Sequence, residues 1–221
     1  MHHRHLQLVG KKLLLLRSQG GYSLADTLVA TVLGLTTIAA VLGLYRVQLF
    51  GLRGQTAQLD VQTTARNIAQ LVVAEIRRAG ADPRCAKTFD GIAEAKRDRL
   101  RLMSDLDGSG AIDLPGEDVT YSLDPSGILW RTAGGTTEAL SDATVRVTGL
   151  QFRYFDVSGA ELNPGTNGLT ATQRAQVRRV QVVVNVQRRS VDPQNSLSLT
   201  ATASSSTDLR NRFFVNKVGC T

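Results

Sequence analysis

Between Asp26 and Arg46 the chain carries 19 consecutive residues without a charge. At a helical rise of about 1.5 Å per residue they reach about 28 Å, close to the roughly 30 Å of a bilayer's hydrocarbon core. A run of this length predicts a membrane-spanning helix, so whatever follows it has to fold outside the lipid. The basic residues Arg4, Lys11, Lys12 and Arg17 and the pair Gly20-Gly21 come before the run. An ordinary secretory signal has a shorter apolar stretch, with small residues at a cleavage point after it. Here that order is reversed.

Beyond Arg46 the helix is expected to continue with a different character. Val61, Ala65, Ile68, Val72, Ile76 and Ala79 recur at steps of three or four, with Gln62, Arg66, Asn67, Gln70 and Arg77 between them. That spacing describes one apolar stripe on a polar rod, to be laid on a globular domain. Gly51 and Gly54 each weaken a helix by about 1 kcal/mol relative to alanine, which leaves room for a bend or local melting near FGLRG. Gly80, followed by Ala81-Asp82-Pro83, predicts the helix end.

After Pro83 the period changes to two. Leu100 and Leu102 alternate, as do Val119, Tyr121 and Leu123, and GILWR follows a D-P-S-G turn, predicting a hairpin. Val145 and Val147, then Leu150, Phe152 and Tyr154, alternate in two phases around Gly149, predicting a bulge. Val180 to Val186 and Leu197 to Ala201 read as two further strands. A long helix followed by a series of strands predicts an α+β fold with an antiparallel sheet.

Composition narrows the chemistry. Net charge over the 221 residues is +7, but four of the basic residues and no acid lie in residues 1–21; the remainder has 22 basic and 19 acidic residues, or +3. Phosphate binding needs clustered Lys and Arg, and this balance gives it little support. The basic cluster is Arg174, Arg178, Arg179, Arg188 and Arg189, a pattern shared by solvated strand faces. All three histidines (His2, His3, His5) lie in the first 21 residues, so a chain cut after Gly21 has no imidazole for a triad, a zinc site or a proton shuttle. Cys85 and Cys220, the two cysteines, show no C-x-x-C spacing. In a domain outside the cytoplasm they read either as a disulfide holding the C-terminal tail or as two free thiols.

GG-YSLADTLVA, residues 20–30, resembles the class III signal of type IV prepilins and type II secretion pseudopilins. The resemblance implies that a prepilin peptidase cuts on the cytoplasmic side between Gly21 and Tyr22 and methylates the new N-terminus. Tyr22 stands for the family's usual phenylalanine, Ala25 for a leucine, and Asp26 for the glutamate at the fifth position of the product. It also implies a task for Asp26, whose carboxylate would neutralise the amine of Tyr22, of its own or a neighbouring subunit, as helices pack together. The other reading of Asp26 is an N-cap-like acid favoured by the helix dipole. EIRRAG (75–80), EDVTYSLDPSGILWR (117–131), VTGLQFRYFDVSG (147–159), VRRVQVVVNVQ (177–187) and STDLRNR (206–212) resemble, in that order, segments of PilW-like minor pilins and of the J-type minor pseudopilins of type II secretion. This implies a pilin-like α+β fold: a leader at 1–21, a membrane and filament-packing helix half at 22–50, an amphipathic half at 51–80 and an antiparallel β domain at 81–221.

SDLDGSGAIDLPGED, residues 104–118, places Asp105, Asp107 and Ser109 at alternate positions, then Gly110, then Asp113. That is the first part of an EF-hand-like calcium loop, in which oxygens at alternate positions converge on a hard cation and a glycine permits the turn. Gly116 stands where the bidentate glutamate belongs, and Glu117 is one residue late. The alternative is an acidic turn between strands.

The expected function is a non-catalytic minor pilin that needs no cofactor, with calcium as an optional ion. Its implied partners are prepilin peptidase, other major and minor pilins, the inner-membrane assembly platform and the membrane itself, with no nucleic acid firmly implied. It would sit single-pass in the inner membrane with a periplasmic C-terminal domain, then enter a pilus at the cell surface. Gly34, Gly43, Ala30, Ala39 and Ala40 permit close helix approach, as small residues in membrane helices do generally. A J-type pseudopilin is the alternative within this class. A DNA-binding or adhesive tip module would rest on the arginines, and a periplasmic enzyme on carboxylate or serine chemistry, for which Ser204 to Ser206 have no histidine partner.

Overall fold

The computed structural model describes Gly21 and residues 23–85, 89–142, 144–189 and 198–211. The chain divides into two units, Met1–Gln48 and Leu49–Thr221. One helix, α1 (Leu24–Arg78), runs through both and continues unbroken past Gly51 and Gly54. Nothing lies within 4 Å of where a Cβ would stand at either glycine, so no close packing requires them.

In the second unit the predicted stripe is buried: Val61, Ala65, Ile68, Val72, Ile76 and Ala79 all face the core, with Ala57, Ala69 and Val73 beside them. The helix stops at Gly80, whose φ of 76° is the left-handed conformation a side chain resists. Its N–H leaves the helix and donates to Met103 O at 2.8 Å. Asn211 Nδ2 supplies donors to two orphan carbonyls of the last turn, Arg77 O at 3.0 Å and Arg78 O at 3.1 Å.

The strands form two antiparallel sheets where one was expected. The first has the order β1 (Ile92–Ala95), β2 (Arg99–Met103), β3 (Asp118–Leu123), β4 (Leu129–Ala133), β5 (Thr136–Ala139). The second has the order β7 (Glu161–Leu162), β6 (Val145–Phe155), β8 (Arg179–Arg189), β9 (Ser198–Asp208). The division falls after β5, whose four residues are all exposed. Asp142 turns the chain there, its Oδ1 accepting the N–H groups of Thr144 and Val145 at 2.7 Å each. Inside-outside alternation supplies the core, with Leu100, Leu102, Val119, Tyr121 and Leu129 from the first sheet and Phe152, Tyr154 and Val180 to Val186 in alternation from the second.

The predicted hairpin is β3–β4, closed by Asp124 N to Ile128 O at 3.0 Å. The predicted bulge is also present: the β6–β8 register shifts between Val147 and Gly149. A Cβ at Gly149 would stand 2.8 Å from Asn185 Nδ2, so a larger residue here has to push that side chain aside. A short helix, α2 (Ala171–Gln176), opens with a capping box between Thr170 and Gln173.

Polar contacts fasten α1 to both sheets. Glu75, 5% exposed, accepts Tyr121 Oη–H on Oε2 and Arg131 on Oε1 (Nε 3.0 Å, Nη2 2.7 Å). Arg131 continues to Glu138 at 2.8 Å. Toward the second sheet, Arg188 Nη1 meets Asp60 at 2.7 Å and Arg77 Nε donates to Thr207 Oγ1 at 3.0 Å. Burial and the neighbouring Glu75 charge push the Tyr121 hydroxyl up, keeping it a neutral donor.

Glu75→Ala leaves the buried Tyr121 hydroxyl without its acceptor and Arg131 with the exposed Glu138 alone, and removing one partner of a buried pair costs about 3–5 kcal/mol. Denaturant unfolding should show a loss of that order. The double variant Glu75→Leu/Arg131→Met should recover much of it, since the uncompensated charge is then gone.

Candidate functional site

From Leu24 to Gln48 every residue of α1 is exposed, Leu24 at 88%. The helix is long and apolar enough to cross a membrane, with a mean hydropathy of 2.1 over its most apolar window. Its hydroxyls are satisfied locally: Thr31 donates to Leu28 O at 2.8 Å, and Thr36 and Thr37 to Leu33 O at 2.9 and 2.8 Å. Such back-bonding hides polar atoms in an apolar stretch.

At the front end Asp26 Oδ2 accepts the N–H of Ser23 at 3.2 Å, while Ser23 Oγ accepts the N–H of Asp26 at 3.1 Å. This reciprocal pair is a capping box with aspartate in the glutamate position, Ser23 as N-cap and Leu24 as first helical residue. Asp26 thus closes a capping box on its own helix. Gly21 is exposed, with nothing within 4 Å of where a Cβ would stand. Tyr22 lies outside the described residues, as do the three histidines.

The acidic loop lies against the C-terminal end of α1, where Asp105 N donates to Ala81 O at 2.8 Å and Arg84 Nη1 to Ser109 O at 3.3 Å. It brings together carboxylate oxygens of Asp105, Asp107 and Glu117 within 4.8 Å of one another. Asp113 is outside this group; its N–H donates to Glu117 Oε2 at 3.0 Å. Ser109 Oγ accepts the N–H of Ala111 at 3.2 Å.

Asp105 and Glu117 are fully buried. Asp105 accepts the N–H groups of Gly108, Ser109 and Gly110; Glu117 accepts those of Leu106, Asp113 and Leu114. Hydrogen bonding, led by the Leu114 N–H, overcomes the burial penalty and holds the Glu117 carboxyl down at about 2. A carboxylate offers about four lone-pair sites, and three backbone N–H groups occupy Asp105. The donor set fits a hard cation such as calcium, with carbonyls and water completing its usual six to eight oxygens. Glu117, one residue late by EF-hand spacing, is thus the residue the fold folds back into the cluster.

Cys220 lies outside the described residues, and the pairing of the two cysteines with it. The basic cluster is largely occupied within the chain. Arg179 pairs with Asp208 at 2.9 Å and Arg188 with Asp60, while Arg174 and Arg178 donate to the backbone carbonyls of Leu169 and Ala175.

Comparison with known proteins adds the family. The model for prepilin peptidase-dependent protein B matches residues 54–212. The chain belongs to that family. No curated protein and no solved structure gives a match. The matched region holds the amphipathic half of α1, both sheets, Glu75 and the acidic loop. It begins after Gly21, Tyr22 and Asp26, so the reading of those three residues rests on the N-terminal motif. The family is pilin-like and prepilin peptidase-dependent, which is broader than the PilW-like resemblance.

Because Glu117 titrates near 2 when folded against 4.5 ordinarily, its contribution is complete above about pH 4.5 and lost as pH falls toward 2. Glu117→Gln should cost about 2–3 kcal/mol at pH 7, since three backbone donors lose an ionised acceptor. It should also flatten the parent's loss of stability between pH 4.5 and 2, as read by denaturant unfolding at each pH.

Proposed function

We propose that this protein is a non-catalytic minor pilin. Prepilin peptidase cuts between Gly21 and Tyr22 and methylates Tyr22; the product waits in the inner membrane with its β domain in the periplasm and then joins, or primes, a type IV pilus. One observation carries this reading: a wholly exposed apolar helix half stands directly ahead of a folded α+β unit in a prepilin peptidase-dependent family. Such a helix needs lipid first and other helices later. Asp26 has two successive tasks in this scheme, capping the uncut helix and then neutralising the amine that cleavage exposes. Other pilins and the assembly platform are its partners. A J-type pseudopilin would share every one of these features, and the set of subunits with which the chain co-assembles separates the two.

Mass spectrometry of the protein from cells should show an N-methylated Tyr22 as first residue; a chain starting at Met1, or clipped after Leu44 and released, would overturn the assignment. Asp26→Ala should still insert in the membrane and be cut, yet enter filaments at least tenfold less than the parent.

A second part of the reading is that the Asp105, Asp107 and Glu117 loop takes calcium. Binding to the folded state alone raises stability in proportion to ligand concentration. Millimolar calcium should raise Tm by several degrees over chelator in the parent and leave Asp107→Asn unmoved; equal melting in both conditions for the parent removes the ion from the account.

A further inference from the structure

The two sheets end in four edge strands: β1 and β5 in one, β7 and β9 in the other. β1 and β5 have four residues each and β7 two, and each holds a carboxylate, Glu94, Glu138 and Glu161 respectively. Short, charged edges give another strand little to pair with. β9 is built otherwise. Its 11 residues, SLTATASSSTD, contain no proline, lysine or arginine, and the sole charge is Asp208 at the last position. It pairs with β8 in unbroken register from Ser198 to Asp208, without the bulge that bends β6. Among the described residues no strand pairs with its other side.

A groove of about 420 Å³ follows this edge, lined by Gln62 and Arg66 of α1 and by Thr200 to Ser204. Gln58 Nε2 reaches the backbone oxygen of Thr200 at 3.4 Å, so α1 borders the edge without covering it. Arg66 is exposed and forms no ion pair among the described residues, whereas Asp60, nearly two turns earlier, is matched by Arg188.

We propose that the β9 edge accepts an extended strand of another pilin-like subunit, added to the sheet by backbone pairing, with a carboxylate of that strand set against Arg66. The inference rests on the subunit role proposed above. Backbone hydrogen bonds supply the affinity in strand addition, and side chains at alternate positions select the partner. The Ser, Thr and Ala side chains of β9 keep the edge flat and admit many sequences. Arg66 narrows the choice: an added strand with an acidic residue at that point gains an ion pair, and a strand with a basic one is repelled. Two β9 edges paired with each other would offer Arg66 no carboxylate other than Asp208 at the last position of the strand, which favours a strand from a different subunit.

Amide hydrogen exchange on the full chain, isolated in detergent and again in purified filaments, tests this directly. In the isolated chain the outward amides of residues 198–208 should exchange freely at all protein concentrations, and in filaments at least tenfold more slowly. Arg66→Glu and Thr202→Lys should each lower filament incorporation tenfold or more with Tm unchanged, while Thr202→Ser incorporates normally. Normal incorporation of Arg66→Glu, or free exchange of β9 in filaments that contain the chain, overturns the proposal and leaves the pilin reading standing. Full protection already in the isolated chain assigns the edge to the chain's own remaining segments, and protection that grows with concentration assigns it to a second copy; either overturns it. Absence of the processed chain from filaments overturns the pilin reading and this one together.

Discussion

Among the described residues, nothing in its own unit buries the apolar half of α1. Every residue from Leu24 to Gln48 is exposed, and at about 25 cal/mol per Å² of apolar surface such a helix cannot rest in water. Lipid is one solvent for it and a bundle of like helices is another. The prepilin peptidase dependence of the family fits a chain that uses both in turn. The threonines along this half suit either surrounding, because Thr31, Thr36 and Thr37 spend their hydroxyls on their own helix.

The other half of the same helix solves the opposite problem. Its stripe from Val61 to Ala79 lies on two sheets at once, and hydrophobic burial alone would let a rod slide along them. Glu75 removes that freedom. It binds Tyr121 of β3 and Arg131 of β4 together, so its helix position is set against two neighbouring strands. A buried pair of this kind adds little net stability over apolar packing but penalises every other register. Asp60 with Arg188 and Arg77 with Thr207 set the helix against the second sheet.

Much of this architecture could be read from residue spacing. The steps of three and four in Val61 to Ala79, the left-handed stop at Gly80, the D-P-S-G hairpin and the bulge at Gly149 each have a local physical signature, and each is where the spacing put it. What escaped lacked such a signature. β5 is exposed on both faces and shows no alternation; β7 has two residues; α2 is too short for a helical period. The separation into two sheets depends on a turn at Asp142, an ordinary loop acid by sequence. Glu75 left a legible trace, a charge within an apolar stripe and seven residues after Ile68. Its partners, 46 and 56 residues away, could not be named without the fold. In the acidic loop, spacing named Asp105, Asp107, Ser109, Asp113 and Glu117 together, and the fold gathers the carboxylates of Asp105, Asp107 and Glu117; a contiguous-loop template cannot tell which of the five side chains fold back to the cluster.

Three carboxylates of this chain are held in three ways, and the comparison bears on what Asp26 is for. Glu75 has Arg131, Tyr121 and, at 3.6 Å, Arg78; Glu117 has backbone donors fixed in place by a folded loop. Asp26 has a single N–H at 3.2 Å, in the half of the helix that must leave water. An ionised group in hydrocarbon costs several kcal/mol unless a cation or several donors meet it, and one N–H from a helix end falls short of that. The cheapest additional partner lies one residue before Ser23. Cleavage after Gly21, as proposed, would create an amine at Tyr22, next in the chain to Ser23, whose N–H the Asp26 carboxylate already accepts, and would add a cation to the single N–H that meets Asp26 among the described residues.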